Sequence, residues 1–262
     1  MPDARTNNTL PTYNTVRMLG VRVHDVTMAE ALDWADRVIQ AHSPQQVATV
    51  NVEFLIAARQ DQAFRRVLND AGLCVPDSIG ILLNARILGQ PLRERVPGVD
   101  LVKGLAALAA RRGYHLFLLG AASGVAERAG EQLVAANPGL TIAGTYAGSP
   151  DPAEQDGIVK RIRSARPDIL LVAYGAPKQD RWIARNIDRM EVPLCIGVGG
   201  TLDYLAGVVK RAPPWICKLG LEWLYRLYRQ PWRWRRMLAL PYNLGLVLEE
   251  RIRQSRTTSP LF

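Results

Sequence analysis

Cysteine is scarce in this chain. Its three residues, Cys74, Cys195 and Cys217, are an odd number, far apart, with no Cys-x-x-Cys. They read as buried thiols of a reducing cytoplasm rather than as a disulfide or zinc framework. Histidine is as sparse, with His24, His42 and His115 dispersed, so no metal site is expected. Apolar runs long enough to span a bilayer, ~18 residues, are missing. The most apolar part of the tail, 237–248, is broken by Pro241, Asn243 and Gly245. The N-terminal segment lacks an apolar h-region, so nothing in it argues for export, and 1–16 reads as a loose arm. A Gly-x4-Gly-Lys-Ser/Thr loop is also missing, which excludes a P-loop ATPase. Asp-x-Asp is missing too, so a carboxylate pair holding a divalent ion on a diphosphate is not expected.

What is present is unevenly distributed. Of the formal net charge of +9, +8 lies in residues 204–262, which hold 11 Lys/Arg and 3 acids. The same stretch carries Trp215, Trp223, Trp232 and Trp234, four of the six tryptophans. A near-neutral body with a basic, aromatic tail suggests chemistry in the body and an anionic partner for the tail. A bilayer surface, a lipid-linked phosphate and single-stranded nucleic acid all fit that description.

Short apolar segments alternate with helical ones through most of the length. Strands are predicted at 46–50, 73–75, 114–119, 141–146, 169–174 and 194–198, and helices at 78–88, 99–111, 124–136, 152–165 and 177–188. A further helix opens on the capping box Thr27-x-x-Glu30. This pattern predicts a Rossmann-like α/β fold, a mostly parallel sheet with helices on both faces. Past about 207–212 the β signal stops. Trp215, Leu219, Trp223 and Leu227 recur every four residues, and Arg226, Arg229 and Arg233 follow a separate basic line. The expected division is a catalytic domain, 1–210, and a helical appendage, 211–262, whose removal leaves a folded core.

In an open parallel sheet ligands bind beyond the carboxyl ends of the strands. The residues with chemistry cluster there: Thr49 and Asn51, Asp77, Gly120, then Gly175, Pro177, Lys178 and Gln179, then Gly199, Gly200, Thr201 and Asp203. Each glycine has a plainer role as a tight turn. Three such turns beside Lys178 and Gln179 point to a nucleotide or diphosphate site. Gly120-Ala-Ala-Ser-Gly124 is not Gly-x-Gly-x-x-Gly, and the next strand lacks an acid for a ribose, so an NAD(P)-dependent oxidoreductase is a weaker alternative. Asp77 is either a helix N-cap or a general base, or both. Arg95 is a surface arginine or an acceptor or phosphate contact. Asp203 suits a cap or a ribose contact.

Taken together, these blocks resemble the WecG/TagA/CpsF family of bacterial glycosyltransferases (glycosyltransferase family 26) from about Val21 to about Pro241. The likeness rests on Thr49-x-Asn51, Pro76-Asp77, Arg95-Val-Pro-Gly-Val-Asp100, Gly175-x-Pro-Lys-Gln179, Gly199-Gly-Thr-Leu-Asp203, Arg211-Ala-Pro and Leu221-Glu-Trp-Leu-Tyr-Arg226 with Pro231, Arg233 and Arg236. The resemblance implies inverting, metal-independent transfer from a UDP-sugar to a hydroxyl of a polyprenyl-diphosphate-linked saccharide, in polysaccharide synthesis at the cytoplasmic membrane face. The implied donor is N-acetylmannosamine-type, its uronic acid, or glucose-type, and no cofactor is implied. It makes Asp77 the general base, puts Thr49, Asn51, Arg95 and Gln179 in the catalytic pocket, and brings Arg226, Arg233 and Arg236 from the appendage. Arg211 is grouped with them as a contact to the leaving group or lipid diphosphate. Association of copies through the core is also implied, and nucleic acid is not an implied partner. The chain departs from the family pattern at Ser78, where Gly is usual, and at Asp180, where Glu is usual. Ser tolerates positive φ poorly, which bears on the loop at Asp77.

Overall fold

The computed structural model describes residues 10–218, 220–229, 231, 234 and 238–258. The chain opens with an antiparallel hairpin, β1 (Thr15–Met18) and β2 (Val21–His24). It then alternates through α1 (Met28–Ala41), β3 (Gln45–Val50), α2 (Val52–Gln60), α3 (Gln62–Asp70), β4 (Leu73–Pro76), α4 (Ile79–Ile87) and α5 (Gly98–Arg112). The alternation continues with β5 (His115–Gly120), α6 (Val125–Ala136), β6 (Thr141–Tyr146), α7 (Gln155–Ala165), β7 (Ile169–Ala173), α8 (Lys178–Met190), β8 (Leu194–Gly197) and the short α9 (Thr201–Leu205). After the last strand come α10 (Pro214–Lys218), α11 (Glu222–Arg229) and α12 (Ala239–Thr258).

β3 to β8 form one six-stranded sheet in the order β4-β3-β8-β7-β5-β6, every pair parallel. The fold is therefore Rossmann-like α/β. Because successive side chains point to opposite faces, each strand feeds two cores. Leu116, Leu118, Ile169 and Leu171 face α1, α5 and α6, while Phe117, Leu119, Leu170 and Val172 face α7 and α8. Ala48, Val50 and Cys74 face a third cluster with the hairpin and residues of α2, α3 and α4. Strands buried on both sides have to be continuously apolar, which is why they are easy to recognise in the sequence.

Local signals explain the element ends. Thr27 and Glu30 form the expected capping box at α1. Asn51 caps α2, its Oδ1 accepting from Phe54 N at 3.2 Å. The helix expected from Pro152 starts later, at Gln155, because 152–154 form a turn. Pro177 caps α8 instead of opening it. The hairpin had not been expected, and β1 begins inside the stretch read as a loose arm. Its two-residue turn, Leu19-Gly20, has φ of 49° and 84°, the type I′ signature, yet carries Leu where Asn or Asp would announce it. Buried Leu19, packed with the third cluster, outweighs the backbone strain. His24 braces β4, its Nδ1 accepting from Cys74 N at 2.9 Å. Burial and Arg22 push that imidazole down to about 4, so it stays neutral.

The last helix returns to the body. Val247 of α12 is buried in the third cluster, and Asn243 exchanges two hydrogen bonds with buried Asn84 of α4, at 2.8 and 3.2 Å. Glu250 accepts from Leu19 N at 2.9 Å, and Arg251 donates to Leu88 O at 3.2 Å. Residues 239–258 thus pack on the body, although they fall within the stretch assigned to the appendage.

Candidate active site

The sheet order arranges the strand ends in a row. From β4 inward they present Asp77, then Thr49 and Asn51, then Gly199 to Asp203, then Gly175 to Gln179, and finally Gly120. With strands spaced about 4.8 Å apart, Gly120 lies four steps, about 19 Å, from the Asp77 strand. Thr49 and Asn51 are thus close neighbours of Asp77, whereas Gln179 follows a strand three steps, about 14 Å, away and Gly120 lies at the far end of the row.

Asp77 follows β4, with its N–H donating to Val50 O at 2.9 Å. It is not the cap of the helix that follows. Ser78 occupies that position at φ −120°, so no left-handed backbone is demanded where the family usually has Gly. The Asp77 carboxylate instead reaches across the loop, its Oδ1 accepting from Gly98 N, the first residue of α5, at 2.7 Å. That loop, 93–98, is held at three points. Arg93 pairs with Asp25 and Glu30 at 3.0 and 2.8 Å, Val96 N donates to Pro76 O at 2.8 Å, and Gly98 binds Asp77. Arg95 therefore comes from a braced segment, and its Nη2 donates to Cys217 O of α10 at 3.0 Å.

Burial dominates the electrostatics of Asp77. Its carboxyl is enclosed by protein although the residue still reaches solvent, and it is pushed up to about 6. The Gly98 N–H, the Arg95 charge and the Asn51 amide oppose the rise, and Glu222 of α11 adds to it. A carboxylate so placed accepts a proton near neutral pH, as general-base chemistry needs.

Around it, Thr49 is buried and its Oγ1 donates to Gly197 O at 3.3 Å, joining the ends of β3 and β8. Gln179 is buried in the first turn of α8, with Oε1 accepting from Gly199 N at 2.9 Å. A Cβ on Gly197 would stand 2.6 Å from Gln179 Nε2 and 2.8 Å from Asp180 Oδ1, so only glycine fits there. Gly120, at φ 96°, would meet Ala173 backbone at 2.9 Å if it carried a Cβ. Gly175 is at φ 75° and Gly199 at φ 51°. Gly200 and Thr201 open α9, whose first turn holds Asp203, and Lys178 is exposed at the start of α8.

Arg211 is engaged on both sides, with Asp100 at 2.5 and 2.9 Å and Glu222 at 3.4 Å. These pairings hold its proton still more tightly than usual. Arg226 falls within α11, but its side chain lies outside the described residues, as do Arg233 and Arg236 altogether. Sequence reasoning missed two carboxylates. Glu222 sat unremarked inside the Leu221-to-Arg226 block. Asp180 drew attention only as a departure, yet it is fully buried with no hydrogen-bond partner in good geometry for either oxygen. Burial pushes it up to about 7, offset only in part by Gln179 and Gln46.

A concavity of about 770 Å³ opens elsewhere, lined by Lys160, Arg163, Arg166 and Arg189 of the α7–α8 region. It shares no residue with the strand ends, and Arg163 and Arg189 are already paired with Glu191 and Asp156 at 2.9 and 2.6 Å. It is not the site. Among the described residues no three His, Cys, Asp or Glu side chains converge as metal ligands would.

A row of polar and glycine-rich strand ends, with a buried carboxyl pushed up to about 6 at one end, suits a Rossmann-like group-transfer enzyme. The profile of the Glycosyl transferase WecG/TagA/CpsF family matches residues 16–257, and the chain belongs to that family. It is a glycosyltransferase. A relative from Bacillus subtilis (strain 168) is 34% identical over 215 residues, covering 82% of this chain and 83% of its own length. One from Bacillus spizizenii (strain ATCC 23059 / NRRL B-14472 / W23) is 34% identical over 203 residues, 78% of each chain. One from Staphylococcus aureus (strain MW2) is 33% identical over 228 residues, 86% of this chain and 89% of its own. All three are named N-acetylglucosaminyldiphosphoundecaprenol N-acetyl-beta-D-mannosaminyltransferase. Family membership decides among the classes the sequence left open, against the oxidoreductase and the nucleic-acid-binding protein.

Proposed function

We propose that this enzyme transfers N-acetylmannosamine, with inversion, from its UDP donor to a hydroxyl of N-acetylglucosaminyl-diphosphoundecaprenol, and does so without a metal. The observation that carries the reading is the Asp77 carboxyl, pushed up to about 6 at the head of the strand-end row, in a chain 33–34% identical to relatives so named. UDP lies along the strand ends toward Gly175, Gly199 and Gly120, with Asp203 near the ribose. Asp77 takes the acceptor hydroxyl proton as that oxygen bonds to the anomeric carbon. The bond from the anomeric carbon to the diphosphate breaks, and UDP leaves with the electron pair. Arg95 and the appendage arginines Arg226, Arg233 and Arg236 meet the leaving charge, the task a preorganised cation performs in such a site. Thr49, Asn51 and Gln179 shape the acceptor side.

The reading also places the enzyme on the inner face of the plasma membrane. No helix among the described residues is long and apolar enough to cross a membrane. Trp215 is 62% and Tyr228 82% exposed on α10 and α11, and Ile79 and Leu83 of α4 lie exposed as well. Gly220 packs on Ile79, so this apolar surface runs from α4 into the appendage. Basic residues contribute about 1 kcal/mol each near an anionic leaflet, enough for reversible, salt-sensitive attachment. The experiment is a panel of UDP-sugars offered with the lipid-diphosphate-GlcNAc acceptor, with and without EDTA. Product from UDP-N-acetylmannosamine in chelator is expected. No product from any UDP-sugar refutes the reaction, and product abolished by EDTA refutes metal independence.

A further inference from the structure

Three charged side chains, distant in sequence, meet where the appendage joins the body. Arg211 forks onto Asp100 Oδ1 and Oδ2 at 2.5 and 2.9 Å and reaches Glu222 Oε1 at 3.4 Å. The three side chains are 20, 40 and 23% exposed, so the cluster is largely withdrawn from solvent. Asp100 stands in the first turn of α5, two residues past Gly98, whose N–H holds Asp77. Glu222 opens α11, and between them Cys217 O is held by Arg95 at 3.0 Å. The segment 211–222 is therefore tied at both ends and in the middle to the elements that position the Asp77 carboxylate. An arginine already spanning two carboxylates is poorly free to bind a phosphate, since the anion would have to displace a paired charge.

We propose that Arg211, Asp100 and Glu222 form a clasp that seats the appendage on the N-terminal end of α5 and so aligns Asp77 and Arg95 for transfer. Arg211 is then a positioning residue, not a substrate contact, and Glu222 is the appendage's own carboxylate at the site. The catalytic part of this inference rests on the transfer reading above. The groups facing Asp77 are the Gly98 N–H from α5, Arg95 from the loop, Asn51 at the head of α2 and Glu222 from α11. Glu222 is the one that raises the proton affinity of Asp77, so seating the appendage tunes the base.

The test uses the full chain with four variants: Arg211→Lys, Arg211→Asp, the swap Asp100→Arg/Arg211→Asp, and Glu222→Gln. Hydrogen exchange at the 215–218 and 220–222 amides reads the clasp without substrate. Protection is expected to fall in Arg211→Asp, to fall less in Arg211→Lys, which keeps the charge without the fork, and to recover in part in the swap, which restores the pairing across 100 and 211 but not the one to Glu222. For directly coupled charges a loss of about tenfold in kcat for Arg211→Asp, recovered to within about threefold by the swap, is the expected scale. KM for the acceptor should change little. Glu222→Gln should move the acidic limb of the kcat profile to lower pH, which a purely structural contact would not do. Unchanged exchange in Arg211→Asp overturns the clasp. So does an unrescued swap with a raised acceptor KM, which would make Arg211 a phosphate contact. A wild-type chain with normal protection and no turnover would refute the transfer reading while leaving the clasp standing.

Discussion

Replacing Asp77 by Asn removes one charge and almost no volume. The folded protein holds the Asp77 carboxyl at about 6 against an ordinary 3.8, chiefly because burial penalises the ionised form. Between those values the unfolded chain has lost its proton while the folded one keeps it, so stability falls as pH rises through the window and levels off above it. Two units at 1.36 kcal/mol each give a ceiling of about 3 kcal/mol, and the solvent that still reaches the residue lowers this to about 2. Asn Oδ1 can still accept from Gly98 N, so the brace on α5 survives. Asp77→Asn should therefore be more stable than wild type by about 2 kcal/mol at pH 8, some 4–8 °C in Tm for a chain of this size. At pH 4 the two should be indistinguishable. Turnover should drop by about 10²–10⁴-fold, with UDP affinity nearly unchanged. Urea unfolding at both pH values, beside product formation and UDP titration, measures all of this. A variant less stable at pH 8 would mean that Arg95 outweighs burial. A variant within about tenfold of wild-type turnover would remove Asp77 from the base role.

Asp180→Asn follows the same sign over a wider window, from 3.8 to about 7, so unfolding should show a gain that is absent below about pH 4, grows through the window and is complete above about 7. Asn243→Ala leaves Asn84 buried without its partner and should cost about 1–3 kcal/mol in urea unfolding; a neutral result would contradict the packing of α12 on the body. Trp215→Ala and Tyr228→Ala should weaken co-sedimentation with anionic vesicles while leaving Tm within about 1 °C, since both side chains stand in solvent. Vesicle binding unchanged by both would separate these aromatics from the membrane.

The legible parts of this protein were those with a local cause. Most buried strands are short apolar runs stopped by Gly, Pro, Asn or Asp, and the less buried 141–146 also falls where it was expected to the residue. The α1 capping box announces itself through its own side chains. Asp77 was picked out by its place after an apolar strand and a proline, but the partner of its carboxylate, Gly98, is 21 residues away and was not legible. The hairpin went unread because Leu at a positive-φ turn carries no turn signal. The return of α12 went unread because its case rests on Val247 and on Asn243 meeting Asn84, 159 residues apart.

Alternation of apolar runs with amphipathic helices determined the α/β class, the strand positions and the loops that bear chemistry, because these depend on residues within a few positions of one another. The segregation of positive charge into 204–262 was likewise a property of the chain alone. Strand order was decided only in three dimensions, and with it the row that sets Thr49 and Asn51 near Asp77, Gln179 further along and Gly120 far away. So was the meeting of Arg211 with Asp100, 111 residues earlier, and the approach of Glu222 to the Asp77 carboxylate. The physical reason is the same in each case: burial and Coulomb interaction act through space, and a group's proton affinity depends on what the fold packs around it.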